Sequence, residues 1–192
     1  MKKFFIIIIF LFLSFTKSYS ETINDLEIEG FSIGQSLLEK FSKNQIDNFF
    51  NYDDLPSSMK FRISEIYNGQ ELSMNTYDGM QFYTKPEDGK YILHGFNGSL
   101  FCKSEKLCKK KYDEIVSDIK NSYPNTEIRK GKGIHTDDPS GESTYAGVSV
   151  DLSDGSIRVL FTDWSNKVQY ADNISVEIST NEVARWINNN FY

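Results

Sequence analysis

Cysteine is almost missing from this chain: Cys102 and Cys108 are the only two in 192 residues. That pair alone lacks the partner ligands and spacing of a zinc centre. Histidine is equally scarce, His94 and His135. No second histidine stands one helical turn from either, so a metalloprotease helix is excluded. No Gly-x-Ser-x-Gly elbow and no calcium-loop spacing occurs. Only four prolines interrupt a chain that is 15% aromatic, a balance that favours a packed core over disorder. Basic charge is also short, 21 residues against 27 acidic, and such a surface is repelled by nucleic acid and anionic membranes. No nucleic-acid partner, cofactor or metal is therefore expected.

A long hydrophobic run is absent too. The one apolar block, Phe4 to Leu13, is shorter than the roughly 20 residues that span a bilayer. With Lys2 and Lys3 before it and Ser18-Tyr19-Ser20 after it, the block reads as a signal peptide over residues 1–20, cut to leave Glu21 first. An uncleaved anchor is the alternative. No cysteine follows the run, so no lipoprotein anchor is expected, and no stable membrane attachment remains after cleavage. Loss of Lys2, Lys3 and Lys17 lowers the 21 basic residues to 18 against 27 acidic, a net of −9. The expected address is the periplasm or the outside of the cell. There an even cysteine pair reads as a disulfide, worth about 2 kcal/mol for so short a loop. Two free thiols, or half of a metal site, are the alternatives.

What is present is well organised. In "GFSIGQSLLEKFSKNQI", Ser32-x-x-Gln35 predicts a capping box opening a helix with Ile33, Leu37, Leu38 and Phe41 on its apolar stripe. Ser42-x-x-Gln45 predicts a second start, with Ile46, Phe49 and Phe50 inward. The period then becomes two. Met59, Phe61 and Ile63 mark one strand and Met80 and Phe82 another; "YILHGF" marks a third, continued by "SLFC" past a bulge at Gly95 or Gly98. Asp53-Asp54 marks a turn before Pro56. A helix from Ser104 to Pro124 presents Cys108, Tyr112, Ile115, Val116 and Ile119, leaving most of Lys109-Lys110-Lys111 to solvent. Three strands follow, "YAGVSVDL", "SIRVLF" and "NISVEIS", the first two joined at Ser153-Asp154-Gly155. Ser179-x-x-Glu182 predicts a last helix with Val183, Trp186 and Ile187 inward.

The expectation is an α+β fold: helix pair, antiparallel meander, helix, antiparallel meander, C-terminal helix, in one compact domain over 21–192. The halves 30–102 and 106–180 share a helix-then-meander order, as a duplicated α-βββ module would.

The opening "GFSIGQSLLEKF" resembles small exported proteins of marine bacteria with AT-rich genomes, which carry a Gly-x-x-Ile-Gly-x-Ser-Leu-Leu-x-x-Phe block after the signal. "KYILHGFNGSLF", "CKKKYDEIV" and "TDW" are similar to later blocks of that set. The resemblance implies no activity. In topology alone the chain also resembles helix-pair-plus-meander modules of outer-membrane assembly lipoproteins and of tandem protease- or lactamase-inhibitor folds, a likeness that carries no function.

Two groups of residues invite a functional reading. The loop "HTDDPSGES" gathers His135, Asp137, Asp138 and Ser140, which could bind a hard cation or form a Ser/His/Asp set, but it is also ordinary turn composition. Trp164 and Tyr145 could form an aromatic binding face. His94 reads as a sheet residue. The expectation is a non-enzymatic binding module that meets an envelope protein or peptide. A hydrolase or metal-assisted enzyme on the 135–143 loop, or a loop-inserting inhibitor, is the alternative.

Overall fold

The computed structural model describes residues 22–51 and 60–191. The expected leader, the turn expected at Asp53-Asp54, Met59 and the side chain of Phe50 lie outside that description. The fold is α+β. A two-stranded ribbon, β1 (Glu27–Ile28) and β2 (Phe31–Ser32), precedes a 3-10 turn (Leu37–Glu39) and the short helix α1 (Lys43–Asp47). Strands β3 (Phe50–Asn51), β4 (Arg62–Tyr67), β5 (Gly79–Thr84) and β6 (Gly95–Phe101) lead into helix α2 (Glu105–Ser122). Strands β7 (Ile128–Ile134), β8 (Thr144–Asp151), β9 (Gly155–Asp163) and β10 (Asn173–Thr180) lead into α3 (Asn181–Phe191). All eight from β3 to β10 form one antiparallel sheet in the order β3-β4-β5-β6-β10-β9-β8-β7. Both halves of the chain thus share one sheet, joined where β6 meets β10.

The opening stretch departs from expectation at its first signal. Gly34 takes a positive φ of 83°, a conformation open to glycine, and turns the chain just after β2. Ser32 therefore ends a strand, although its N–H still bonds the Gln35 side chain. The working box is Ser36 with Glu39. Leu38, expected inward, is 43% exposed. The second box, Ser42 with Gln45, caps α1 as expected and buries Ile46.

Register sorts the two sheet faces. One carries the apolar row Phe82, Phe96, Ile178, Ile157, Val150 and Ile128, with Met80, Val176, Val159 and Val148 one step along. Helix α2 covers it through Cys108, Val116 and Tyr112, and the opening segment covers it through Phe31, Leu37, Phe41 and Phe49. Phe31 and Phe82 meet at 4.8 Å, Phe41 and Phe49 edge-on at 5.0 Å. The other face is covered at one end by α3, whose Val183, Trp186 and Ile187 pack on Phe61, Ile63 and Tyr83. Trp186 and Phe61 lie 5.4 Å apart. Among the described residues no helix is long and apolar enough to cross a membrane.

Four further expectations are corrected. The strand from "YILHGF" begins only at Gly95, because Asp88 holds the N–H groups of Lys90 and Ile92 in a turn. Residues 91–93 instead bond the opening segment, with Gly34 and Leu37 donating to Leu93 and Tyr91. No bulge interrupts β6, whose pairing with β5 and β10 is continuous. Its glycines mark close approach, Gly95 by Ser179 and Tyr83 and Gly98 by the Tyr77 ring. The last helix is capped one residue later than expected: Thr180 Oγ1 accepts the Val183 N–H, while Ser179 donates to Glu177. Strand β7, "IRKGKGI", was not among the expected strands. It lacks the apolar alternation that marks the others and is held by its ladder to β8.

Cys102 follows β6 and Cys108 lies in the first turns of α2; they are joined in a disulfide with Cα atoms 5.4 Å apart.

Candidate functional site

The polar loop and the aromatic pair, distant in sequence, occupy one place. Strand β7 ends at Ile134 and β9 at Asp163, and antiparallel pairing through β8 sets those ends side by side. His135, Tyr145 and Trp164 continue the same alternation and fall on the face that α3 leaves uncovered at this end. The His135 imidazole packs on Trp164 at 4.2 Å and meets Tyr145 edge-on at 6.5 Å. Tyr170, 61% exposed, lies against Trp164 at 4.6 Å. Lys167 pairs with Glu142 and laces the 164–172 segment to the loop.

Asp138 organises the loop. Its buried carboxylate accepts the Ser140 N–H and hydroxyl, each at 2.8 Å, and the Ser143 N–H and hydroxyl at 2.9 and 2.6 Å. The Ser165 hydroxyl donates to it from across the sheet end at 3.0 Å. These donors, the Ser143 hydroxyl foremost, outweigh desolvation and hold the carboxyl far below the usual carboxylate range. Such an acid is a structural anion and a poor base at neutral pH.

That geometry separates the four residues proposed for chemistry. Ser140 gives its proton directly to Asp138. The imidazole instead uses Nδ1 to accept the Asp137 N–H at 3.3 Å, with the Asp137 carboxylate 4.0 Å away and largely in solvent. No hydrogen bond joins the ring to Ser140 or to the Asp138 carboxylate. An acyl-transfer relay needs the imidazole between serine and acid. Among the described residues no three of His, Cys, Asp and Glu gather as metal ligands. His94 lies just before β6, half-buried on Phe61 at 5.6 Å; burial and then Lys85 lower its pKa.

Between the aromatic end and α3 lies a groove that sequence reasoning missed. Its floor is Gly131 and Gly147; Tyr145, Ser149, Leu160, Arg129 and Arg158 rise around it, enclosing about 210 Å³. The Leu160 side chain occupies the space a Cβ on Gly147 would need, and Tyr145 does the same at Gly133. Arg129 pairs with Asp151, and Arg158 donates to Asn188 of α3 at 2.8 Å. One register row carries Glu65, Gln81, Asn97, Glu177, Arg158, Ser149 and Arg129 across seven strands. Glu177 in its middle is buried, which pushes its carboxyl up; Arg158 and the Ser179 hydroxyl oppose that shift. Alternation within β9 and β10 puts Arg158 and Glu177 on the face opposite the apolar one, but which residues share the row is set by register between strands.

Trp164 holds an unexplained group, for its indole Nε1 is buried without a hydrogen-bond partner. Leaving such a donor unpaired costs about 1–3 kcal/mol. Comparison with known proteins gives no match to a family model, to a curated protein or to a solved structure.

Proposed function

We propose that this chain is a non-enzymatic binding module, exported and matured in the periplasm or outside the cell, that presents the open end of its sheet to an envelope protein or peptide. The observation that carries this reading is the merging of His135, Tyr145, Trp164 and exposed Tyr170 into one patch, fastened from beneath by Asp138. Aromatic rings held by a rigid polar frame offer contact area with little conformational entropy left to lose. The disulfide supports the address, since such bonds persist in oxidising compartments. Nucleic acid is not proposed as a partner, and no anchor is proposed after cleavage of the leader.

The duplicated helix-and-meander module remains part of the proposal. Its support is that a helix precedes each run of four strands, α1 before β3 to β6 and α2 before β7 to β10, and that the two runs meet through their last strands, β6 and β10.

The test is capture from envelope extracts by the mature chain, followed by hydrogen-exchange mapping of the complex. Protection centred on 135–145 and 164–170, lost in the pair Trp164→Ala and Tyr170→Ala, is the expected result. A partner whose footprint lies wholly on the helices, or whose capture is untouched by that pair, would overturn the assignment of the patch.

A further inference from the structure

Among the described residues β7 is an edge strand of the sheet, seven residues long and unbroken by proline or bulge. The His135 N–H donates to Ser143 O, which makes that pair hydrogen-bonded, and alternation then points the backbone groups of Ile128, Lys130, Lys132 and Ile134 away from β8. Among the described residues no hydrogen bond reaches those outward groups. Proteins protect such an edge with charged side chains, a proline, a bulge or a covering segment. Among the described residues the protection here is charge: Arg129, Lys130 and Lys132 stand on an acidic chain of net charge −6.

Hollows flank this edge on both faces. On one side lies the groove of Arg129, Tyr145, Ser149 and Leu160. On the other, α2 covers β9 more than β7, and leaves a hollow of about 530 Å³ beside β7 and β8. Its apolar walls are Tyr112, Val116, Ala146 and Val148, rimmed by Lys120, Lys130 and Lys132 against the one carboxylate of Asp113. Ile134 at the strand end is 61% exposed.

We propose that β7 is a strand-addition site for an extended acidic peptide segment, a mode of recognition that rests on the binding-module reading and names its partner class. The incoming backbone would pair with the outward groups of Lys130 and Lys132, and its alternate side chains would fall toward the two hollows, which is how added strands gain specificity. Acidic side chains on the α2 side would meet Lys130 and Lys132 across the new ladder, where opposite charges stabilise a pair. A second copy of this chain is disfavoured for the same reason. Antiparallel pairing of two β7 strands about Gly131 would set Lys130 of each opposite Lys132 of the other. The lysines thus repel self-pairing and select an anionic strand.

The experiment titrates the mature chain with a blocked peptide of alternating glutamate and valine, and with one of alternating lysine and valine. The glutamate peptide is expected to bind, to weaken as salt is added, and to slow exchange of the Lys130 and Lys132 amides. The Gly131 and Gly133 amides, already paired to β8, are expected to stay as they were. Lys132→Pro removes an outward N–H without touching the β7–β8 ladder, and is expected to weaken binding about tenfold or more. The double charge reversal Lys130→Glu with Lys132→Glu, a surface change that spares the fold, is expected to exchange the preference to the lysine peptide. Failure of the glutamate peptide to bind at millimolar concentration, or binding indifferent to both variants, would overturn the proposal. An envelope partner that protects Trp164 and Tyr170 while β7 exchanges freely would overturn strand addition and leave the binding module standing. Absence of any protected surface would sink both.

Discussion

Breaking the bond between Cys102 and Cys108 is the perturbation whose size follows most directly from the structure. The two residues are six apart in sequence, so the cross-link closes a loop of about seven residues in the unfolded chain. Loop-closure entropy for that length is about 8 cal/mol/K, or about 2.3 kcal/mol at 25 °C. The link joins the end of β6, where the Cys102 N–H donates to Asp172 at 2.8 Å, to the buried Cys108 that seats α2 on the apolar face. Reduction changes no other covalent bond, so comparing the oxidised and reduced forms of one chain isolates the cross-link. With a urea dependence of about 2 kcal/mol/M for a domain of this size, the midpoint is expected to drop by about 1 M. The pair Cys102→Ala and Cys108→Ala should fall further, because alanine leaves a small void where the fully buried Cys108 sulfur packed. Equal midpoints in the two redox states would refute the entropic reasoning. Natural protein isolated with both thiols free would remove the structural support for an oxidising address.

Three other outcomes are expected. Because the Asp138 pKa is depressed in the folded chain, its contribution to stability is present above the ordinary value near 3.8 and is lost as pH falls through the folded value. In a Trp186→Phe background, Trp164 emission should therefore hold steady down to about pH 5 and change only on stronger acidification; Asp138→Asn should show the altered emission already at neutral pH. Glu177 behaves in the opposite sense: burial raises its pKa above 4.5, so its contribution is present below that value and is lost as pH rises through the folded one. Urea midpoints at about pH 4 and about pH 8 should show the wild type losing ground to Glu177→Gln as pH rises. Trp186→Ala empties the pocket formed by Phe61, Tyr83 and Ile187 and should cost about 3–5 kcal/mol in chemical denaturation, with amide protection lost first along α3.

Much of this architecture is readable from the chain because it is local. The alternation of Ile174, Val176 and Ile178 requires a strand with one apolar face, and Cys108, Tyr112, Val116 and Ile119 require a helix with one buried stripe. The Ser42–Gln45 cap and the Ser153-Asp154-Gly155 hairpin are likewise decided within a few residues. The box expected at Ser32 gave way to one at Ser36, which was not among the expected caps. The shift is set by the Gly34 turn and by backbone bonds with Tyr91 and Leu93, which no local motif contains. Nor could alternation foresee that Glu177 would be buried, since period two assigns its face to solvent and only the packed neighbours make it dry.

Residue order alone therefore determined an α+β chain, its main helices, most of its strands and its cysteine pair. Tertiary structure decided that β6 joins β10, that "IRKGKGI" is an edge strand, and that His135 rests on Trp164. The division has a physical cause. Helix stripes, caps and hairpins are set by interactions within a few residues, whereas strand order and the meeting of loops depend on hydrogen-bond ladders between segments far apart, whose partners no local period specifies.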